Sequence, residues 1–124
     1  MTQRAGQSGD QRWVLALDIG TSSTRAIIFD SRGNSLSGLR HQEHYSPTSD
    51  EPGQSTFDAG FLVERVCRCI DGALSAAGQD AGRICAVGVT TFWHSMVGVD
   101  AAGRAITPLY TWADTRPAGA ADAL

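Results

Sequence analysis

The chain of 124 residues has no lysine; its ten basic residues are all arginine. That rules out the nucleotide loop G-x-x-x-x-G-K-[S/T], whose lysine reaches the terminal phosphates, and the dinucleotide turn G-x-G-x-x-G is missing too. The uniform arginine reads as a GC-rich coding bias rather than ten selected guanidiniums. Cysteine is scarce: Cys67, Cys69 and Cys85 are the three. Cys67 and Cys69 fall in an expected helix, where a spacing of two puts them on nearly opposite faces, so they neither pair nor share a metal. The expectation is buried thiols in a reduced, cytoplasmic setting. No apolar run approaches the ~20 residues of a membrane span. Residues 1–12 are polar, lack the apolar core of a secretory signal and read as a disordered leader. With a net charge of −3 and no polybasic patch, the chain is a poor match for nucleic acid or an anionic membrane. What remains is 42% apolar and 19% charged, the composition of an ordinary globular domain.

The most informative stretch runs from Val14 to Asp30. An apolar run ends in Asp18, Gly20 and the hydroxyl residues Thr21, Ser22, Ser23 and Thr24; Arg25 follows, then a β-branched run. This is strand, tight turn, strand, with a carboxylate and a row of backbone amides at the tip. Glycine admits close approach of an anion, and successive turn N–H groups form an anion-binding concavity. An aspartate can hold a hard cation such as Mg²⁺ directly or through its water shell. The competing reading is an ordinary hairpin, because Asp, Gly and Ser dominate turns for conformational reasons alone. Asp18-x-Gly20-Thr21-Ser22-x-x-Arg25 resembles the first phosphate motif of the superfamily that joins sugar kinases, heat-shock-70 ATPases and actin.

Further elements follow from periodicity. Strands are expected over 13–19, buried on both faces, and over 22–30. Asp30-Ser-Arg-Gly33-Asn34 makes a turn to a weakly alternating edge strand at 35–44. Leu36 and Gly38 share one face of that strand and Leu39 the other. Residues 45–57 read as a loop. Asp58 is a candidate N-cap and Gly78 a candidate stop for a helix carrying Leu62, Val66, Cys69, Ile70, Ala73 and Ala77 on one stripe. A second buried strand is expected at 84–90, then a hairpin with a D-x-x-G turn over 97–106, and the first turns of a helix from Pro117. The order β-β-β-α-β predicts an α/β mixed sheet: three antiparallel strands, a crossover helix and a parallel strand.

Two more clusters follow the strand at 84–90. Trp93, His94 and Ser95 stand at its carboxyl end, the usual place for ligand contacts in an open α/β sheet. Thr111-Trp112-Ala-Asp114-Thr-Arg116 again sets an aromatic beside polar groups. Histidine offers a donor and an acceptor to a hydroxyl-rich ligand, and tryptophan an apolar face. Each residue alone has a structural reading, as a satisfied histidine or a core-filling aromatic.

Taken in order, the three clusters resemble the N-terminal part of the FGGY carbohydrate kinases, from about Val14 to Leu124. Glu51-Pro-Gly-Gln-Ser-Thr-Phe-Asp58 is similar to that family's P-G-x-x-E-x-D segment, with Thr56 replacing the glutamate. The resemblance implies a ribonuclease-H-like fold and ATP-dependent phosphorylation of a small sugar or sugar acid. Asp18 would organise Mg²⁺ and the ATP phosphates, with Gly20, Thr21, Ser22 and Arg25 completing the turn. Trp93, His94, Trp112 and Asp114 would line the sugar pocket. It also implies gluconate- or xylulose-type members over glycerol kinases, which carry an Arg-Glu pair where Trp93-His94 stand. The family's catalytic base and adenosine site lie in later segments. Residues 13–124 would therefore be an incomplete first part of the domain, inactive alone and prone to self-association. The alternative is a non-catalytic nucleotide-binding domain of the actin and heat-shock-70 branches.

Overall fold

The computed structural model describes residues 12–122. The leader expected over 1–12 lies, except for Arg12, outside them. The elements are β1 (Trp13–Ile19), β2 (Ser23–Asp30), β3 (Ser35–His44), β4 (Thr56–Phe57), α1 (Ala59–Ala77), a 3-10 segment (Gly78–Arg83), β5 (Ile84–Thr91), β6 (Leu109–Tyr110) and α2 (Ala118–Ala121). The main sheet runs β3-β2-β1-β5, with β1 antiparallel to β2 and parallel to β5. This is the β-β-β-α-β order expected, with β3 at an edge.

Helix α1 begins where a cap permits it. The Asp58 carboxylate accepts the Phe61 N–H at 2.7 Å, satisfying a donor that a helix start leaves orphaned. It ends at Gly78, whose φ of +55° suits a residue without Cβ, and whose N–H bonds the Leu74 carbonyl. Its apolar stripe packs against one face of the sheet: Trp13, Leu15, Leu17, Ala26 and Ile28 meet Cys69, Ala73 and Ala77 in one buried cluster. On α1, Arg65 reaches Glu43 of β3 at 2.8 Å.

Several expectations are corrected. Strand β1 is buried on one face only, because α1 covers Trp13, Leu15 and Leu17 while Val14, Ala16 and Asp18 face a partly open side. Strand β5 is apolar yet exposed along nearly its whole length, with Val87 57% and Val89 63% accessible. Helix α1 lies over β1–β3 and leaves β5 bare. In β3 both Leu36 and Leu39 pack on the core, since pairing with β2 shifts between Ile27 and Phe29 and Gly38 takes a φ of +79°. Such a bulge resets which side chains face inward. The 45–57 segment is not all loop: β4 pairs with β6. The D-x-x-G turn at 100–103 forms, with the Gly103 N–H on the Asp100 carbonyl at 2.9 Å, but its arms meet only in a Val99–Ala105 bridge. Cys67 and Cys85 are exposed, and only Cys69 is buried.

Candidate functional site

The parallel pairing of β1 with β5 brings two distant turns to one level. Asp18 stands opposite Arg25 on β2 and Thr90 on β5, and Ile19 opposite Thr91. One hydrogen bond continues this pairing, from the Phe92 N–H to the Ile19 carbonyl at 3.0 Å. The chain beyond β1 and the chain beyond β5 therefore frame one cleft of about 460 Å³, lined by Asp18–Thr21, Thr90–His94 and Trp112. Of the residues singled out in the sequence, Asp18, Gly20, Thr21, Trp93, His94 and Trp112 line it together. Ser22, Arg25 and Asp114 do not.

The first wall is a closed turn. The Gly20 N–H donates to the Ser23 carbonyl at 2.9 Å, and a Cβ on Gly20 would come within 3.1 Å of that oxygen. Asp18, its side chain 41% exposed, accepts a 2.6 Å hydrogen bond from the Arg25 guanidinium. So exposed a pair adds little stability, ~0–1 kcal/mol, but it fixes where the carboxylate points. Ser22 faces inward through its carbonyl, which accepts the Tyr45 N–H at 3.0 Å.

The second wall is more exposed. Trp93 is 79% and Trp112 63% exposed. The Trp93 and His94 rings stack, centroids 5.0 Å apart. His94 takes a φ of +57°, the left-handed region a side chain enters only at a cost. This is the one non-glycine residue of the described chain in that region, and it sits in the cleft.

Asp114 has a different role. Its carboxylate accepts from Arg116 at 2.7 Å and from the Ser55 N–H at 3.2 Å. The Arg116 hydrogen bond, outweighing burial, holds its carboxyl at about 2, below the ordinary 3.8. Arg116 also bonds Glu51 at 2.5 Å, and the Thr115 N–H bonds the Gly53 carbonyl. Gly53 has to be glycine, with a φ of +81° and Thr115 Oγ1 only 2.7 Å from where a Cβ would stand. The Asp114–Arg116 pair thus ties segments 51–55 and 111–116 together beside Trp112.

Sequence reasoning missed Thr90, Thr91 and Phe92 as lining residues, and Tyr45 behind the turn. Thr90 and Thr91 were legible as the polar end of an apolar strand; Tyr45 carried no signal in an irregular segment.

The sheet and the turn after β1 give this domain the fold that sugar kinases have. Residues 13–124 match the N-terminal domain of the FGGY family of carbohydrate kinases, and the chain belongs to that family. It is 36% identical over 107 residues to the autoinducer-2 kinase of Yersinia pseudotuberculosis, covering 86% of this chain and 19% of that one. It is 35% identical over 115 residues to the glycerol kinase of Halobacterium salinarum, covering 90% and 22%. Among solved structures it superimposes on the xylulose kinase from Rhodospirillum rubrum with a TM-score of 0.80 at 23% identity, covering 91% of this chain and 24% of that one. The fold is therefore the ribonuclease-H-like one of the sugar kinases, and the chain spans about a fifth of the length of the curated relatives it matches.

Proposed function

We propose that this chain supplies the phosphate-binding turn and one side of the sugar pocket of an ATP-dependent carbohydrate kinase. The observation that carries this reading is the shared cleft, in which Asp18, Gly20 and Thr21 face Trp93, His94 and Trp112. A phosphate chain suits the first wall, because the turn narrows at a glycine and presents the Thr21 hydroxyl and a partly exposed carboxylate. Among the described residues no group of three His, Cys, Asp or Glu side chains could hold a metal. A single carboxylate nevertheless suits Mg²⁺, which keeps most of its waters and takes other oxygens from phosphates. Bound there, the ion would neutralise phosphate charge. Asp18 holds its carboxylate ready through Arg25, Thr21 offers a hydroxyl, and His94 with the two tryptophans orients the sugar.

Gluconate- and xylulose-type substrates suit the Trp93-His94 pair best. Kinship with both a glycerol kinase and autoinducer-2 kinases leaves this choice to the pocket residues rather than to ancestry. A cytoplasmic setting suits a consumer of ATP, and no described helix is long and apolar enough to cross a membrane. Bare β5 favours self-association of the 124-residue chain, which light scattering would report as a dimer or larger species; a monodisperse monomer at high concentration would overturn this.

The test is phosphate transfer from ATP to gluconate, xylulose and glycerol by the complete polypeptide that carries this segment. Transfer to a sugar or sugar acid supports the kinase. Nucleotide binding without transfer to any acceptor favours a switch protein of the actin and heat-shock-70 branches. The 124-residue chain alone, without the family's base, should show no turnover above background.

A further inference from the structure

Behind the turn after β1, outside the cleft, lies Tyr45, at the first position beyond β3. It makes three hydrogen bonds to a stretch of five residues. Its N–H donates to the Ser22 carbonyl at 3.0 Å, its hydroxyl donates to the Gly20 carbonyl at 2.7 Å, and the same hydroxyl meets Thr24 Oγ1 at 2.6 Å. The donors can be assigned. Tyrosine has one hydroxyl proton, the Gly20 carbonyl can only accept, and so Thr24 donates to Tyr45. Thr24 is fully buried, and its carbonyl accepts from the Cys69 thiol of α1. The Tyr45 ring is wedged edge-on between Phe57 and Phe61, at centroid distances of 5.5 and 6.2 Å. Phe57 in turn packs on Phe92, the residue before Trp93.

Gly20 is thereby held from both sides, its N–H by Ser23 and its carbonyl by Tyr45. We infer that Tyr45 is a positioning residue: its hydroxyl fixes the orientation of the Gly20–Thr21 peptide, and so aims the turn's N–H groups into the cleft. This rests on the kinase reading above. A glycine in a phosphate turn has many conformations open to it, and an anion benefits from donors set in place before it arrives. One hydrogen bond on each of the two peptides that flank the Gly20 Cα removes that freedom without placing a side chain in the cleft.

The test compares two nearly isosteric variants in the complete, active enzyme. Tyr45→Phe deletes the hydroxyl and keeps the ring packing; Thr24→Val deletes the hydrogen bond to Tyr45 and leaves Tyr45 on Gly20. Positioning predicts that Tyr45→Phe raises the KM for ATP roughly three- to tenfold, with the KM for sugar unchanged. Thr24→Val should lie within about twofold of wild type in both, even where it lowers Tm as much. Amide exchange at Gly20 should quicken in Tyr45→Phe. If Tyr45→Phe lowers Tm and leaves the KM for ATP unmoved, or if Thr24→Val raises that KM equally, the hydroxyl is merely satisfying a buried neighbour and the inference fails. A wild-type protein that phosphorylates nothing would overturn the kinase reading, and this inference with it. Failure of the inference alone shows only in variants of an active enzyme.

Discussion

The two walls of the cleft are built on opposite halves of one sheet. The turn after β1 stands over the half that α1 covers, with Leu15, Leu17, Ala26 and Ile28 buried beneath it and Thr24 fully enclosed. The loop after β5 stands on the half left bare, where Val87 and Val89 face solvent and Trp93 and Met96 project from the loop. One wall is wired from behind by Ser23, Arg25 and Tyr45. The other is held to the sheet through the Phe92 N–H and carries a strained His94. The side proposed for phosphate is thus held from behind by buried groups. The side proposed for the sugar presents exposed rings, its loop fixed at Met96–Tyr110 and its Trp112 braced by the Asp114–Arg116 pair.

The contrast can be broken at either wall. The largest effect is expected from Asp18→Asn, which removes the charge proposed to organise Mg²⁺ and phosphate. The kcat of the complete enzyme should fall roughly 10²–10³-fold with every sugar tried. A fall confined to one sugar would move Asp18 to the other wall. Next comes the covering helix. Gly72 of α1 lies where a Cβ would stand 2.4 Å from His41 Cγ and 2.8 Å from His41 Cβ on β3, too near the backbone for ring rotation alone to relieve. Gly72→Ala gains ~1 kcal/mol of helix propensity but overpacks the joint, for a net loss of about 1–2 kcal/mol. A denaturant midpoint at or above wild type would show that α1 can slide on the sheet.

His94→Ala removes one or two hydrogen bonds to a hydroxyl. It should raise the KM for sugar roughly two- to tenfold and leave that for ATP near its original value. The reverse pattern would make His94 a structural residue of the loop. The smallest effect is a pH dependence. The folded carboxyl of Asp114, at about 2, lies below its ordinary 3.8. Its contribution to stability is thus complete above about pH 4 and is lost as pH falls from there towards 2. Asp114→Asn should flatten the fall in Tm over that window. An unchanged slope would mean that the brace beside Trp112 does not depend on this charge.

Legibility followed the range of the interactions. Helix α1 was readable because Asp58, the apolar stripe and Gly78 act within a turn or two of themselves, and the order β-β-β-α-β came from the same local signals. The D-x-x-G turns were readable too: Asp100, like Asp30, accepts from N–H groups two and four residues on. What composition cannot reveal is cover. Strand β5 is as apolar as β1, yet only β1 lies beneath α1. The two-residue strands β4 and β6 have no period to detect, and exist because Thr56 and Phe57 meet Tyr110 and Leu109 across half the chain. In the site, Asp18, Gly20 and Thr21 were legible as a local pattern and His94 as the polar end of an apolar strand. Tyr45 is visible only once the bulge at Gly38 and the end of β3 have carried it behind the turn.

The parallel pairing of β1 with β5 also sets the order in which the cleft is built. Trp13 pairs with Asp30 across a short hairpin, but with Ile84 only after most of the chain has been gathered in. Closing a loop that long costs more entropy than closing the hairpin, and slow pairing of distant strands is the usual kinetic consequence. During folding, the turn proposed for phosphate should thus acquire its native hydrogen bonds while the opposite wall is still unattached. Pulse-labelled amide exchange would show Ile27 and Ala26 protected before Gly88 and Phe92.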